Sequence, residues 1–186
     1  MKQAVYGSIL LIFLMLPPVT HLAESIMSIH MHMQMPLIAI GGMLLTPFLQ
    51  KKFPSFFEKY NENGIPGIIL FFIIMLYWII PKAMDDVLSS GYAEAFKFIS
   101  WALLGIALRD SWSKISRGWE YIVFIGVAIM YMTMAGLYIF SPDQLCNNYL
   151  IVEQRTLGWS YFFIALCLLL YFIQDLFADK DAYQES

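Results

Sequence analysis

The chain has 186 residues, of which 60% are hydrophobic, 17% aromatic and only 13% charged. Its mean hydropathy of +0.66 is above what a soluble domain of this size carries, which points to a lipid environment. A net charge of −3, with no Arg-rich arm or aromatic-basic stripe, excludes a nucleic-acid partner. The two cysteines, Cys146 and Cys167, lie in no CxxC or CxxxC spacing and signal neither a disulfide framework nor a thiol zinc site.

The first apolar run follows Lys2 and has the outline of a secretory signal with a cut after Ala23. Three residues before that cut stands His21 rather than a small residue, so residues 3–22 are read as a retained membrane helix. Further runs near the roughly 20 residues that a span requires fall at 30–50, 66–80, 95–108, 119–140 and 157–177. The expected fold is therefore all-α, a polytopic bundle of six transmembrane helices forming one domain over residues 1–186. The third and fourth runs are short and must borrow flanking residues.

Between the first two runs lies the most distinctive stretch, from His21 to Pro36. It contains all three histidines, His21, His30 and His32, together with Met27, Met31, Met33, Met35, Glu24 and Gln34. Imidazole and thioether are the neutral ligands that suit Cu(I), and Glu24 adds an oxygen for Cu(II). On a continuous helix Glu24, Met27, His30, Met31, Gln34 and Met35 share an arc of roughly 140°, with His32 about 200° from His30. Pro36 removes a donor and crowds the carbonyl of His32, so a kinked or extended first turn is the alternative. An extended run places His30, His32 and Gln34 on one side and the methionines on the other. From Pro36 to Gln50 is only about 22 Å of helix, so the cluster must supply turns within the membrane interface. The same methionines also suit flexible packing, and the histidines also suit interfacial polar positions.

Residues 51–66 mix aromatics, charges and an Asn-Gly turn signal, as an interfacial connection does. Asp85 and Asp86, beside Met84, are expected to cap the fourth helix, on which Glu94 and Lys97 are spaced to pair with each other. On the fifth helix Met130 and Met134 share a face at the depth of the His-Met cluster, with Met132 between them. Cys146 lies in the following loop as a soft ligand if deprotonated, and Cys167 reads as a small core residue of the sixth helix. Trp78, Trp101, Trp112, Trp119 and Trp159 fall near the proposed helix ends, as an aromatic belt does. The acidic tail after Asp175 is short and expected to fray.

Lys and Arg divide unevenly between alternate loops. Lys2, Lys51, Lys52, Lys59, Arg109, Lys114, Arg117 and Lys180 lie on one side, and Lys82, Lys97 and Arg155 on the other. The positive-inside rule then puts both termini in the cytoplasm and the histidines at the outer face of an inner membrane. No nucleophile triad, phosphate-cradling loop or HExxH is present, so no enzyme activity is expected.

Two segments carry a family resemblance. His30-Met31-His32-Met33-Gln34-Met35-Pro36-Leu37, followed by Gly41 and Gly42, is similar to the HMxQH helix start of CtaG-type assembly factors of caa-type haem-copper oxidases. Glu153-Gln154-Arg155-Thr156-Leu157-Gly158 resembles their DQxxxG stretch. The resemblance implies a copper-handling membrane protein that helps metallate or assemble an oxidase or similar copper enzyme, with that enzyme's subunits as partners. Met35 stands where the family has a second histidine, and Glu94 and Lys97 stand on what is a His-rich helix, so the implied copper rests on His30, Met33 and Met35. A non-catalytic structural subunit and a haem-binding subunit, with His21 and His30 or His32 as axial ligands, are the alternatives.

Overall fold

The computed structural model describes residues 2–184, with side chains described through residue 177. Lys180 and most of the acidic tail lie outside the described side chains. Among the described residues the chain is helical, without strands: α1 (Lys2–Leu14), α2 (Pro17–Glu24), α3 (Met27–Lys52), α4 (Pro54–Tyr60), α5 (Ile65–Trp78), α6 (Pro81–Ser89), α7 (Gly91–Trp112), α8 (Arg117–Phe140) and α9 (Ile151–Gln184). Four of these, α3, α7, α8 and α9, are long and apolar enough to cross a membrane, and the count reaches six only if two bent pairs each serve as one span. The chain is thus a multi-pass membrane protein, with large apolar side chains such as Ile73, Ile99, Ile129 and Phe163 exposed to lipid.

The expected first helix over 3–22 is broken. Pro17 holds Leu16 in an extended conformation, and α1 and α2 meet at 70°. Thr20 Oγ1 donates to the carbonyl of Leu14 at 2.9 Å, satisfying an acceptor that the break leaves free. The third run, 66–80, falls on the continuous helix α5, which meets α4 at 83°. Gly64 makes that turn at φ 77°, a left-handed conformation that a Cβ disfavours.

α3 is a single span despite Pro36. Residues His30–Gln34 form a π turn, in which Met35 N–H donates to the carbonyl of His30. The wider turn accommodates a residue that has no N–H for the His32 carbonyl, so the chain is neither extended nor broken there. Below it, α3 crosses α7 at backbone contact. A Cβ on Gly42 would lie 2.0 Å from the Ala102 carbonyl oxygen, and one on Gly105 would lie 1.9 Å from that of Ala39. This reciprocal use of small residues brings two backbones together where lipid supplies no hydrophobic drive.

Two polar ends close the bundle. At one, buried Asp110 accepts from Gln50 Nε2 and Asn61 Nδ2 at 2.6 Å each and from Lys114 Nζ at 2.8 Å. Asn61 also donates to Ser111 Oγ and accepts from Gly67 N–H. At the other, the segment linking α8 to α9 folds over α2 and α6. Tyr149 donates to the Glu24 carbonyl, and Asn147 donates to Asp85 through both its backbone and side-chain nitrogens. All three histidines lie at this second end.

Candidate functional site: a methionine-lined cavity

Two cavities occupy the histidine end. The inner one encloses about 30 Å³ and is walled by six methionines, Met31 and Met35 of α3, Met75 of α5, Met84 of α6, and Met130 and Met134 of α8. Trp78, Trp101, Tyr131 and Tyr161 complete most of the wall. Half of the chain's twelve methionines therefore line one cavity, from four helices. The reason lies in helix geometry: Met31 and Met35, like Met130 and Met134, are four residues apart and project from one face.

The second cavity is larger, about 630 Å³, and opens at the same end between α2 and the α6–α7 junction. His21, Glu24 and Glu94 lie on its wall, with Ser89 and Ser90.

Beneath Glu24 a buried polar chain runs inward. The Lys97 ammonium pairs with the Glu24 carboxylate and donates to Gln34 Oε1 at 3.2 Å. An ammonium only donates, so the amide atom facing it is the oxygen. That same oxygen lies 2.8 Å from His30 Nδ1, which therefore carries the proton. His30 is fully buried, and its Nε2 has no hydrogen-bond partner among the described residues. Fixing one ring nitrogen as donor frees the other as a ligand, the arrangement that holds metal-bound imidazoles.

His32 faces elsewhere. Its Nε2 lies 3.2 Å from Ser160 Oγ of α9, and its ring packs 4.7 Å from that of Tyr161. The eight residues singled out as metal ligands are thus dispersed. Met31 and Met35 line the inner cavity, His21 and Glu24 the outer one, and Met27 is buried in the core beside them. Met33 is 56% exposed and points away, because it sits opposite Met31 and Met35 on the helix. Met132 likewise lies off the cavity wall.

Several expectations are corrected. Lys97 does not pair with Glu94, its neighbour one turn back; it turns into the bundle, where the Glu24 carboxylate offers a partner shielded from water. Asp85 caps no helix and instead accepts from Asn147 and Asn148, while α7 begins at Ser90 without a side-chain cap. Trp78 and Trp101 are buried cavity walls rather than belt residues, and Trp78 Nε1 donates to Ser100 Oγ at 3.0 Å. Cys167 is exposed, not core. Cys146 is buried against Tyr138, and burial, with the Asp85 charge second, pushes its thiol up to about 11, so it stays protonated and is a poor metal ligand. Burial, followed by the Glu24 charge, also raises the Tyr149 phenol, which remains a donor to the Glu24 carbonyl.

Among the described residues no group of three or more His, Cys, Asp or Glu side chains is arranged to hold a metal. The inner cavity is lined instead by methionine and aromatic side chains, all neutral, and thioether sulfur suits a soft monovalent ion. Met75, Met84, Trp78 and Trp101 were not read as site residues, because each stands alone in the sequence and only the helix crossings unite them. Compared with protein-family models, curated proteins and solved structures, the chain matches none.

Proposed function

We propose that this chain is a copper-binding membrane accessory protein that holds Cu(I) among methionine thioethers and passes it to a respiratory haem-copper oxidase or similar copper enzyme. The observation that carries this reading is the convergence of six methionines on one small buried cavity. A small cavity of that kind receives a bare ion only if its wall supplies ligands, and thioether sulfur binds Cu(I) without adding charge. The family resemblance at residues 30–37 and 153–158 agrees in chemistry, with the sulfur of Met31 and Met35 taking the larger share and Met33 none. In this reading both termini are cytoplasmic and the cavity lies near the outer face of a bacterial inner membrane.

The test uses Ag(I), a redox-inert stand-in for Cu(I), with the purified full chain in detergent. About one Ag(I) per chain is expected. Changing Met31, Met35, Met130 and Met134 together to Leu conserves volume and leaves the helices packed, and is expected to abolish that binding. Unchanged Ag(I) stoichiometry in the folded fourfold variant would overturn the proposal.

A further inference from the structure

Lys97 is the least expected group in the bundle. It is fully buried on a membrane-spanning helix, where a charge persists only if its surroundings answer it. Its ammonium gives one N–H to the Glu24 carboxylate and one to the Gln34 carbonyl oxygen, and lies 5.0 Å from the Phe98 ring centroid. Glu24 and Gln34 supply oxygen, which hard and borderline divalent ions prefer. One hydrogen bond further along stands the His30 imidazole, whose Nδ1 faces this set and whose Nε2, buried and unpartnered among the described residues, can take over the proton that Nδ1 carries. The Gln34 amide nitrogen, too, has no partner there. The set therefore has more donor and acceptor capacity than Lys97 uses, and one of its members, Glu24, forms part of the wall of the open outer cavity.

We propose that Lys97 is a tethered cation filling a site that Glu24, Gln34 and His30 would otherwise offer to a divalent metal, so that it acts as the selectivity element of this end of the protein. With the ammonium in place the single carboxylate is already neutralised, and an incoming dication meets a fixed positive charge in a poorly screening environment. A soft monovalent ion bound by neutral sulfur asks nothing of that carboxylate. The site itself stands independently of the cage; only its role in leaving Cu(I) as the accepted metal rests on the function proposed above.

Removing the plug gives a gain of binding, which a merely damaged protein does not show. Purified full-length protein, Lys97→Ala and Lys97→His are titrated with Co(II), whose visible bands report nitrogen and oxygen ligation. The unaltered chain is expected to take up no Co(II) at this position. Lys97→Ala is expected to take up about one per chain, and Lys97→His, which adds an imidazole, to bind about tenfold tighter or more. Adding Glu24→Gln or His30→Ala to Lys97→Ala removes the new bands. Ag(I) uptake by the same samples reads the methionine cage separately, so loss of one signal is not mistaken for loss of the other. The proposal is overturned if the folded Lys97 variants bind no Co(II), or if the unaltered chain binds it with the same bands. It is overturned equally if neither variant folds even when produced with Co(II) or Zn(II), because a metal that fills the site restores the missing charge.

Discussion

Replacing Asp110 by Ala removes the one acceptor on which three parts of the chain converge: Gln50 at the end of α3, Asn61 in the turn after α4, and Lys114 after α7. The carboxylate is 1% exposed, so water does not replace what it gives up. Three charge-assisted hydrogen bonds at about 1.5 kcal/mol each amount to roughly 4–5 kcal/mol. Lys114, whose side chain is 25% exposed, recovers part of its share from solvent, which brings the expected loss to about 3 kcal/mol. Asp110→Asn keeps the shape and one carbonyl acceptor and is expected to lose about half as much. Both are read from reversible unfolding in mixed dodecylmaltoside and SDS micelles, followed by circular dichroism. A loss under about 1 kcal/mol for the Ala variant, or equal losses for Ala and Asn, would show that the clamp does not hold this end together. Ag(I) affinity in both is expected to be unchanged, since the clamp lies at the end of the bundle remote from the methionines.

Gly42→Leu and Gly105→Leu each place a side chain where a Cβ alone would lie 2.0 Å or less from a carbonyl oxygen. Either forces α3 and α7 apart and costs several kcal/mol in the same unfolding assay; a change below about 1 kcal/mol would contradict the close crossing. Cys146 gives a pH signature. Its thiol rises from 9.0 to about 11 on folding, so the folded state holds the proton more tightly. Its contribution is complete below about 9 and is lost as pH rises through about 11. Cys146→Ala is expected to flatten that alkaline fall in stability, and the thiol to react with maleimide far more slowly than exposed Cys167. Pro36→Ala restores the N–H that the His32 carbonyl lacks and lets the π turn relax to an α-turn. Met31 and Met35 are four residues apart and share a face on an α-turn as well, so retained Ag(I) affinity with retained helicity is the expected result, and a large drop would show that the cavity depends on the π turn.

The membrane character and the long spans were legible because composition alone determines them: no aqueous fold accommodates runs such as residues 119–140. The bends were less legible. The bend at Pro17 falls inside the run read as one helix over 3–22, whereas the turn at Gly64 falls where the Asn-Gly signal stood. The cluster at 21–36 was visible as a concentration of histidine and methionine, and the face shared by Met31 and Met35 followed from helical spacing. What remained hidden was which distant residues meet it. Met75, Met84, Trp78 and Trp101 come from three other helices, and no local period relates them. Lys97 misled for a related reason. One turn from Glu94 it looks like half of a surface pair, whereas the stronger partner, Glu24, is 73 residues away and reached only through the fold.

The two ends of the bundle divide two tasks. At the Asp110 end every named polar group is paired, and the crossing of α3 and α7 is held by backbone contact that admits no side chain. At the histidine end the balance is reversed: His30 Nε2, His32 Nδ1, Gln34 Nε2 and Trp101 Nε1 are buried without partners among the described residues. Each such atom costs on the order of 1–3 kcal/mol, and the π turn adds a departure from the best helical geometry. A bundle selected for stability alone would have replaced these groups with Leu and Phe, which fill the same volume in lipid at no such cost. Of these residues Trp101 lines the methionine cavity, and their concentration at the histidine end supports the proposal that places the protein's work where its packing is least economical.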